Sequence, residues 1–152
     1  MRIIAHDPFI STEIATAMGA ELVSLDDLFA NADFVSLHLP STRETRHLLN
    51  DARFARMKPG IRIINTARGD LIDEAALARA IEQKIVAGAG LDVFEKEPPV
   101  DWTLARLPQV VATPHIAAST EEAQELVGLD TAAAVRDYLR DGVVRNAVNF
   151  PS

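Results

Sequence analysis

Arg68, Glu97 and His115 carry a guanidinium, a carboxylate and an imidazole that together could hold an organic acid and move a proton. A neutral imidazole takes a proton from an alcohol, and a protonated one gives it back to a carbonyl, provided a carboxylate orients the ring. Glu97 is the expected orienting group for His115, because the two residues follow the ends of neighbouring strands. Arg68 offers a planar fork suited to gripping a carboxylate with two hydrogen bonds, or alternatively to a surface ion pair with Asp70 or Asp73. Asp7 closes an earlier strand, where a carboxylate can accept from a ribose 2′-hydroxyl; taken by itself it reads first as a turn or cap residue before Pro8. Of the remaining histidines, His6 is expected to pack at a strand end and His47 to be solvated, while a structural and a contact role stay open for His38. With no cysteine, and with its 4 histidines dispersed, the chain offers no thiolate nucleophile and no metal site: there is neither an H-E-x-x-H run nor an Asp-rich loop.

These residues need elements that bring them to one place. Short β-branched or apolar runs at 2–5, 21–23, 33–38, 61–65, 85–91 and 110–113 alternate with segments of helical spacing, the pattern of parallel βαβ units. Helix starts are predicted from side-chain oxygens placed to accept orphan N–H groups at Ser11, Ser24, Asn50, Asp73 and Ser119. The last helix is expected over 119–139, with Ala123, Leu126, Val127, Ala134, Val135, Tyr138 and Leu139 at three- and four-residue offsets and Asp141-Gly142 as its stop. The strand runs lack clean polar alternation, which suits strands covered on both faces. An α/β, doubly wound, mostly parallel sheet follows. In such sheets ligands bind beyond the carboxyl ends of the strands. His6-Asp7, His38-Leu39-Pro40, Asn65 to Asp70, Asp92 to Glu97 and Pro114-His115 all fall there. Gly88-Ala-Gly90-Leu-Asp-Val93 imitates a dinucleotide fingerprint, but it runs along a strand and ends in Val93; it reads as close strand packing under a helix.

Composition narrows the setting. The chain has 152 residues, 48% hydrophobic and 24% charged, as in an ordinary globular domain. Its 15 basic and 22 acidic residues give a net charge of −7, with the basic residues scattered singly, so no nucleic-acid partner is expected. The longest uncharged apolar run, at 85–91, falls far short of the ~20 residues of a spanning helix, and His6, Asp7 and Glu13 interrupt the stretch where a signal peptide would be apolar. No membrane partner and a cytoplasmic location are therefore expected.

Taken in order, HDPF (6–9), HLPSTRETRHLLN (38–50), MKPGIRIINTARGDLIDEAALARAI (57–81), GAGLDVFEKEP (88–98) and TPHIAAST (113–120) strongly resemble the D-2-hydroxyacid dehydrogenases, and most of all their phosphoglycerate dehydrogenase branch. The resemblance implies an NAD-dependent oxidoreductase exchanging a hydride with a small 2-hydroxy or 2-keto acid. It implies that Arg68 binds the substrate carboxylate and carbonyl, that His115 is the acid/base and that Glu97 holds its imidazolium. Cofactor contacts would be Asp7 at the adenosine ribose, Leu39 and Pro40 on the adenine side, and Thr45 near the phosphates. Thr66, Ala67 and Arg68 would flank the nicotinamide with His115, Asp92 would anchor the carboxamide, and Ile116, Ala117 and Ala118 would complete the wall. Glu97 argues against the formate-oxidising branch, which carries a neutral amide there. The family also includes NAD-sensing corepressors, so a non-enzymatic module is one alternative and an inactive remnant another.

Family members carry a long stretch ahead of the position matched by Met1, including most of the substrate domain and the strand, G-x-G-x-x-G turn and helix that cradle the pyrophosphate. The expected organisation is therefore a partial dinucleotide-binding domain over 1–141 and, over 142–152, a tail leading toward a substrate domain. In the family sheet the first strand lies between the second and the fourth, so its loss would separate the runs at 2–5 and 33–38. Three outcomes are expected to be in competition: a fragment of a longer enzyme, a sheet that closes around the gap, or a strand borrowed from a second copy. Dimerisation through this domain is the family habit, so a homo-oligomer is one expected partner. Weak or undetectable turnover is expected of the 152-residue chain alone.

Overall fold

The computed structural model describes Met1–Ala147. Two compact units divide the chain, one spanning Met1–His115 and the other beginning at Ile116. The first unit runs β1 (Ile4–Ala5), α1 (Thr12–Ala17), β2 (Glu21–Leu22), α2 (Leu25–Asn31), β3 (Phe34–Leu37), α3 (Asp51–Phe54), β4 (Ile61–Asn65), a 3-10 turn (Gly69–Leu71), α4 (Glu74–Glu82), β5 (Val86–Leu91) and β6 (Val110–Ala112). All strand pairs are parallel. The chain has the expected α/β, Rossmann-like parallel fold.

Capping residues begin the helices of this unit where the sequence puts them. Ser11, Ser24, Asn50 and Asp73 are N-caps, each accepting from the backbone N–H three residues on, with Asp73 Oδ1 2.9 Å from Ala76 N. Each such bond satisfies a donor that the first helical turn cannot. Register then aligns the core. Val35 pairs with Ile63 and Leu37 with Asn65, and the row continues to Ala89 and Leu91. Val35, Leu37, Ile63, Ala89 and Leu91 are buried with Phe29, Phe54, Leu71 and Leu77 in one cluster. At roughly 1.5–3 kcal/mol for each large side chain taken out of water, this row and the helices over it hold the sheet.

On the opposite face Phe34 and Arg62 are exposed, with the guanidinium 5.4 Å from the ring centroid. The weak polar alternation had suggested covered strands, but β3 reads exposed-buried-exposed-buried within this unit. Gly88 and Gly90 lie in β5 without opening a helix. A Cβ on Gly88 would stand 3.1 Å from the Gln109 carbonyl, and one on Gly90 3.2 Å from the Ile64 side chain, so the close neighbours come from the adjoining turn and strand rather than from a helix.

The sheet does not close around the gap. Among the described residues β1 pairs with β2 alone, while β3, β4, β5 and β6 form a separate four-stranded sheet in that order. Arg62 N donates to the Asp33 carbonyl, so by parallel alternation Val35 and Leu37 also face β4. Phe34 and Ser36 face the other way, and β3 pairs with no further strand among the described residues.

The second unit holds α5 (Glu121–Asp141). Its N-cap is Thr120, one residue beyond the expected Ser119, and its stop is Gly142 at φ 67°, a left-handed cap that glycine adopts without strain. Within this unit Leu126, Val127, Val135 and Leu139 are each more than half exposed, so the apolar offsets do not form a packed face among the described residues. The expected tail at 142–152 lies partly outside the described residues. No described helix is long and apolar enough to cross a membrane.

Candidate active site

The carboxyl ends of β4 and β5 carry two loops pressed against each other. Asn65, buried at the end of β4, holds its loop in shape by donating from Nδ2 to the Arg68 carbonyl (2.9 Å) and accepting from Ala67 N (3.1 Å). Gly69 then meets the loop after β5 so closely that a Cβ there would lie 2.0 Å from the Phe94 carbonyl carbon. No side chain fits, which explains the glycine in the Arg68-Gly69-Asp70 run. The β5 loop is fixed by Glu95 N donating to Glu74 Oε1 (2.7 Å) and by Phe94 N donating to Glu97 Oε1 (3.0 Å).

Glu97 thereby has one oxygen on the backbone and the other free for a ring. His115 Nδ1 lies 2.7 Å from Glu97 Oε2, and His115 occupies the left-handed region at φ 55°, a conformation histidine adopts more readily than most residues. The His115 ring and the Phe94 N–H hold the Glu97 carboxyl below the usual carboxylate range, against the opposing effect of its partial burial. Arg68, Glu97 and His115 line one open cavity of about 440 Å³. Arg68 makes no ion pair among the described residues; Nη1 donates to the Ala67 carbonyl at 2.6 Å. The ion pair with Asp70 or Asp73 is therefore absent and the guanidinium is available to a ligand.

The other predicted positions follow the strand ends. Asp7, half-buried after β1, accepts from Phe9 N at 2.8 Å, the turn role its place before Pro8 suggested. Leu39 and Pro40 follow β3, and Thr45 spends its hydroxyl on its own turn, donating to the Pro40 carbonyl at 2.8 Å. Thr66 is exposed and Ala67 half-buried after β4. Asp92 is buried after β5 and accepts from the Thr113 hydroxyl at 2.5 Å. Ile116, Ala117 and Ala118 open the second unit as an exposed turn, with Ser119 N donating to the Ile116 carbonyl at 2.9 Å.

Two histidine readings need correction. His6 is exposed, its Nδ1 3.1 Å from the Val23 carbonyl, because β1 is too short to bury its end. His47 is no free solvated ring: its Nε2 lies 3.2 Å from Glu95 Oε1, which also accepts from Arg46 Nη2 at 2.5 Å. His38 is exposed with Nε2 2.8 Å from Ser36 Oγ. Arg46, Glu95 and Lys96 also line the cavity, and sequence reasoning passed over them. Only the placement of Glu95 and Lys96 next to Glu97 could have pointed to it; Arg46 gives no local sign of reaching a loop so distant in sequence.

Fold and cavity together define a parallel α/β domain with an oriented imidazole and an unpaired guanidinium at the carboxyl rim of its sheet. Residues 1–117 match the family described as D-isomer specific 2-hydroxyacid dehydrogenase, NAD binding domain, and the chain belongs to that family. It is 50% identical over 151 residues to a D-3-phosphoglycerate dehydrogenase of Synechocystis, covering 99% of this chain and 27% of that protein. A D-3-phosphoglycerate dehydrogenase of Archaeoglobus fulgidus is 48% identical, with 100% of this chain and 29% of the relative covered. The chain thus spans between a quarter and a third of these relatives' length. Among solved structures, a glyoxylate reductase from Paecilomyes thermophila superposes with a TM-score of 0.89 at 40% identity, covering 98% of this chain and 45% of that one. A D-lactate dehydrogenase from Aquifex aeolicus, complexed with NAD and lactic acid, gives 0.84 at 33% identity over 100% of this chain and 51% of its own.

The cofactor of this family domain is NAD. Two carboxylates that follow strand ends suit its two ends: Asp7 for a ribose and the buried Asp92 for an amide. Among the described residues no glycine-rich turn opens a helix, so the donors that would cradle a pyrophosphate are not supplied there.

Proposed function

We propose that this chain is the NAD-binding, acid–base-bearing part of a D-2-hydroxyacid dehydrogenase that acts on a small 2-hydroxy or 2-keto acid, with phosphoglycerate dehydrogenases as its nearest functional type. The single observation that carries the reading is the 2.7 Å contact of Glu97 with His115 in the same cavity as the unpaired Arg68. The phosphoglycerate preference rests on relatives about half identical across nearly the whole chain.

NAD, when bound, supplies the hydride acceptor or donor at its nicotinamide. Arg68 grips the substrate carboxylate and carbonyl oxygen through its fork, which fixes the C2 centre against the cofactor. In the oxidising direction Nε2 of His115 takes the hydroxyl proton as the C2 hydride leaves; in reduction it returns that proton to the carbonyl oxygen. Glu97, accepting from Nδ1, keeps Nε2 turned toward the reacting oxygen and stabilises the imidazolium that forms. Asp7 holds the adenosine ribose, Leu39 and Pro40 border the adenine, and Thr45 approaches the phosphates. Thr66 and Ala67 flank the nicotinamide and Asp92 anchors its carboxamide.

The test follows NADH absorbance with a 2-keto acid, beside calorimetry of NAD binding. Weak turnover by this chain, cut further in His115→Ala with NAD affinity nearly intact, is the expected result. Equal turnover in the variant overturns the acid–base assignment.

A further inference from the structure

His47 adopts φ 49°, a left-handed backbone for which glycine is the strain-free choice, and it does so with backbone and ring engaged at once. Its N–H donates to the Asp70 carbonyl at 2.8 Å, its carbonyl accepts from Asn50 Nδ2 at 3.0 Å, and its ring Nε2 lies 3.2 Å from Glu95 Oε1. The three partners belong to three places. Asn50 is the cap of α3, Asp70 follows Arg68 in the β4 loop, and Glu95 precedes Glu97 in the β5 loop. We propose that His47 is a positioning residue whose ring fixes the β5 loop against the β4 loop and thereby sets the aim of Glu97 at His115 beside Arg68. This rests on the roles of Arg68, Glu97 and His115 proposed above.

A glycine at this position would hold the same turn and keep both backbone bonds, but it could not reach Glu95. The ring is therefore the part of His47 that the turn itself does not require. Arg46 grips the same carboxylate from a long, mostly exposed stem, whereas the His47 ring stands on a backbone bonded directly to the Asp70 carbonyl, so it passes the position of the β4 loop to Glu95. Glu95 N is held in turn by Glu74 Oε1, and the Phe94 N–H closes the turn on Glu97 Oε1. With that turn pinned, Glu97 Oε2 meets His115 Nδ1. Loss of the ring leaves the segment in place, because the buried Leu49 still bridges to Ile72. What changes is the aim of the carboxylate, and by no more than the contact that transmits it.

The test reads the ring nitrogens of His115 in the 152-residue chain by NMR in mildly alkaline solution, where imidazoles are neutral. A carboxylate at Nδ1 keeps the proton on that nitrogen, so the wild type should show the Nδ1–H tautomer. His47→Gly and His47→Asn suit the left-handed turn but fall short of Glu95. They should lower the ratio of Nδ1–H to Nε2–H rings about two- to fivefold, the size of one partly exposed hydrogen bond. His47→Gln, long enough to donate to Glu95, should restore the ratio. The amide spectrum and melting temperature of the short variants should stay near those of the wild type, which separates the aim of Glu97 from the stability of the fold. A ratio unchanged in both short variants, or not restored by glutamine, overturns the assignment of His47 and leaves the roles of Glu97 and His115 standing. Short variants that lose the fold would show a structural role and overturn it equally. If the wild-type ring carries its proton on Nε2, the Glu97–His115 contact itself is refuted and both readings fall.

Discussion

Glu97 is the residue on which the chemistry of the cavity turns, and its protonation links site to stability. Its carboxyl, lowered mainly by the His115 ring and next by the Phe94 N–H, binds fewer protons in the folded than in the unfolded chain. Its contribution is therefore fully present above the ordinary value of 4.5 and is lost as pH falls through the lower folded-state value. Thermal melting from neutral pH down to about 3 should show the gap between the wild type and Glu97→Gln closing on the acid side. A gap that stays constant would mean that the carboxylate contributes nothing beyond its shape. In the variant the amide can still meet the ring, but it cannot stabilise an imidazolium, so NAD affinity should be kept while any turnover falls.

Loops and helix starts set where the active groups stand. Gly69→Ala forces a Cβ into the Phe94 and Glu95 backbone, so one of the two loops must move. Overpacking of this kind costs about 1–3 kcal/mol, and it separates Arg68 from Glu97 at the same time. Urea unfolding should show that loss, and the His115 ring resonances should shift; unchanged values for both would show that the loops are looser than their contact implies. Asp73→Ala removes the α4 cap and should cost about 1 kcal/mol in the same assay, without moving His115. The helix starts were legible because capping is a local event, decided by one side-chain oxygen and a backbone three residues away. Thr120 replacing Ser119 is a slip of one position between two adjacent hydroxyl residues, either of which can cap a helix. The Arg46–Glu95 pair was not legible, since a surface arginine and a loop glutamate look the same in sequence whether or not the fold brings them together.

Across the whole first unit, the interrupted sheet should be visible in exchange. Val35 and Leu37 face β4, whereas Phe34 and Ser36 face away from it. Amide hydrogen exchange should be slow at the first pair and fast at the second. Protection at Phe34 and Ser36 would reveal a strand on that edge, from a second copy or from this chain. NAD binding by this chain should be weak, because the described residues offer no glycine-rich turn at a helix start to meet the pyrophosphate. Sub-micromolar affinity by calorimetry would contradict that expectation.

The sequence by itself determined the parallel α/β class, the strand order along the chain, most helix starts and the identity of Arg68, Glu97 and His115. These depend on patterns within a few residues or on motifs that keep their spacing. Only the tertiary structure decided that the three groups share one cavity and that Arg68 is unpaired. It also decided that His47 and Arg46 clamp Glu95 and that β1 and β3 lie in separate sheets. Each of those facts is a contact between segments far apart in the chain, fixed by register and by the closeness that Gly69 permits, and no local pattern encodes it.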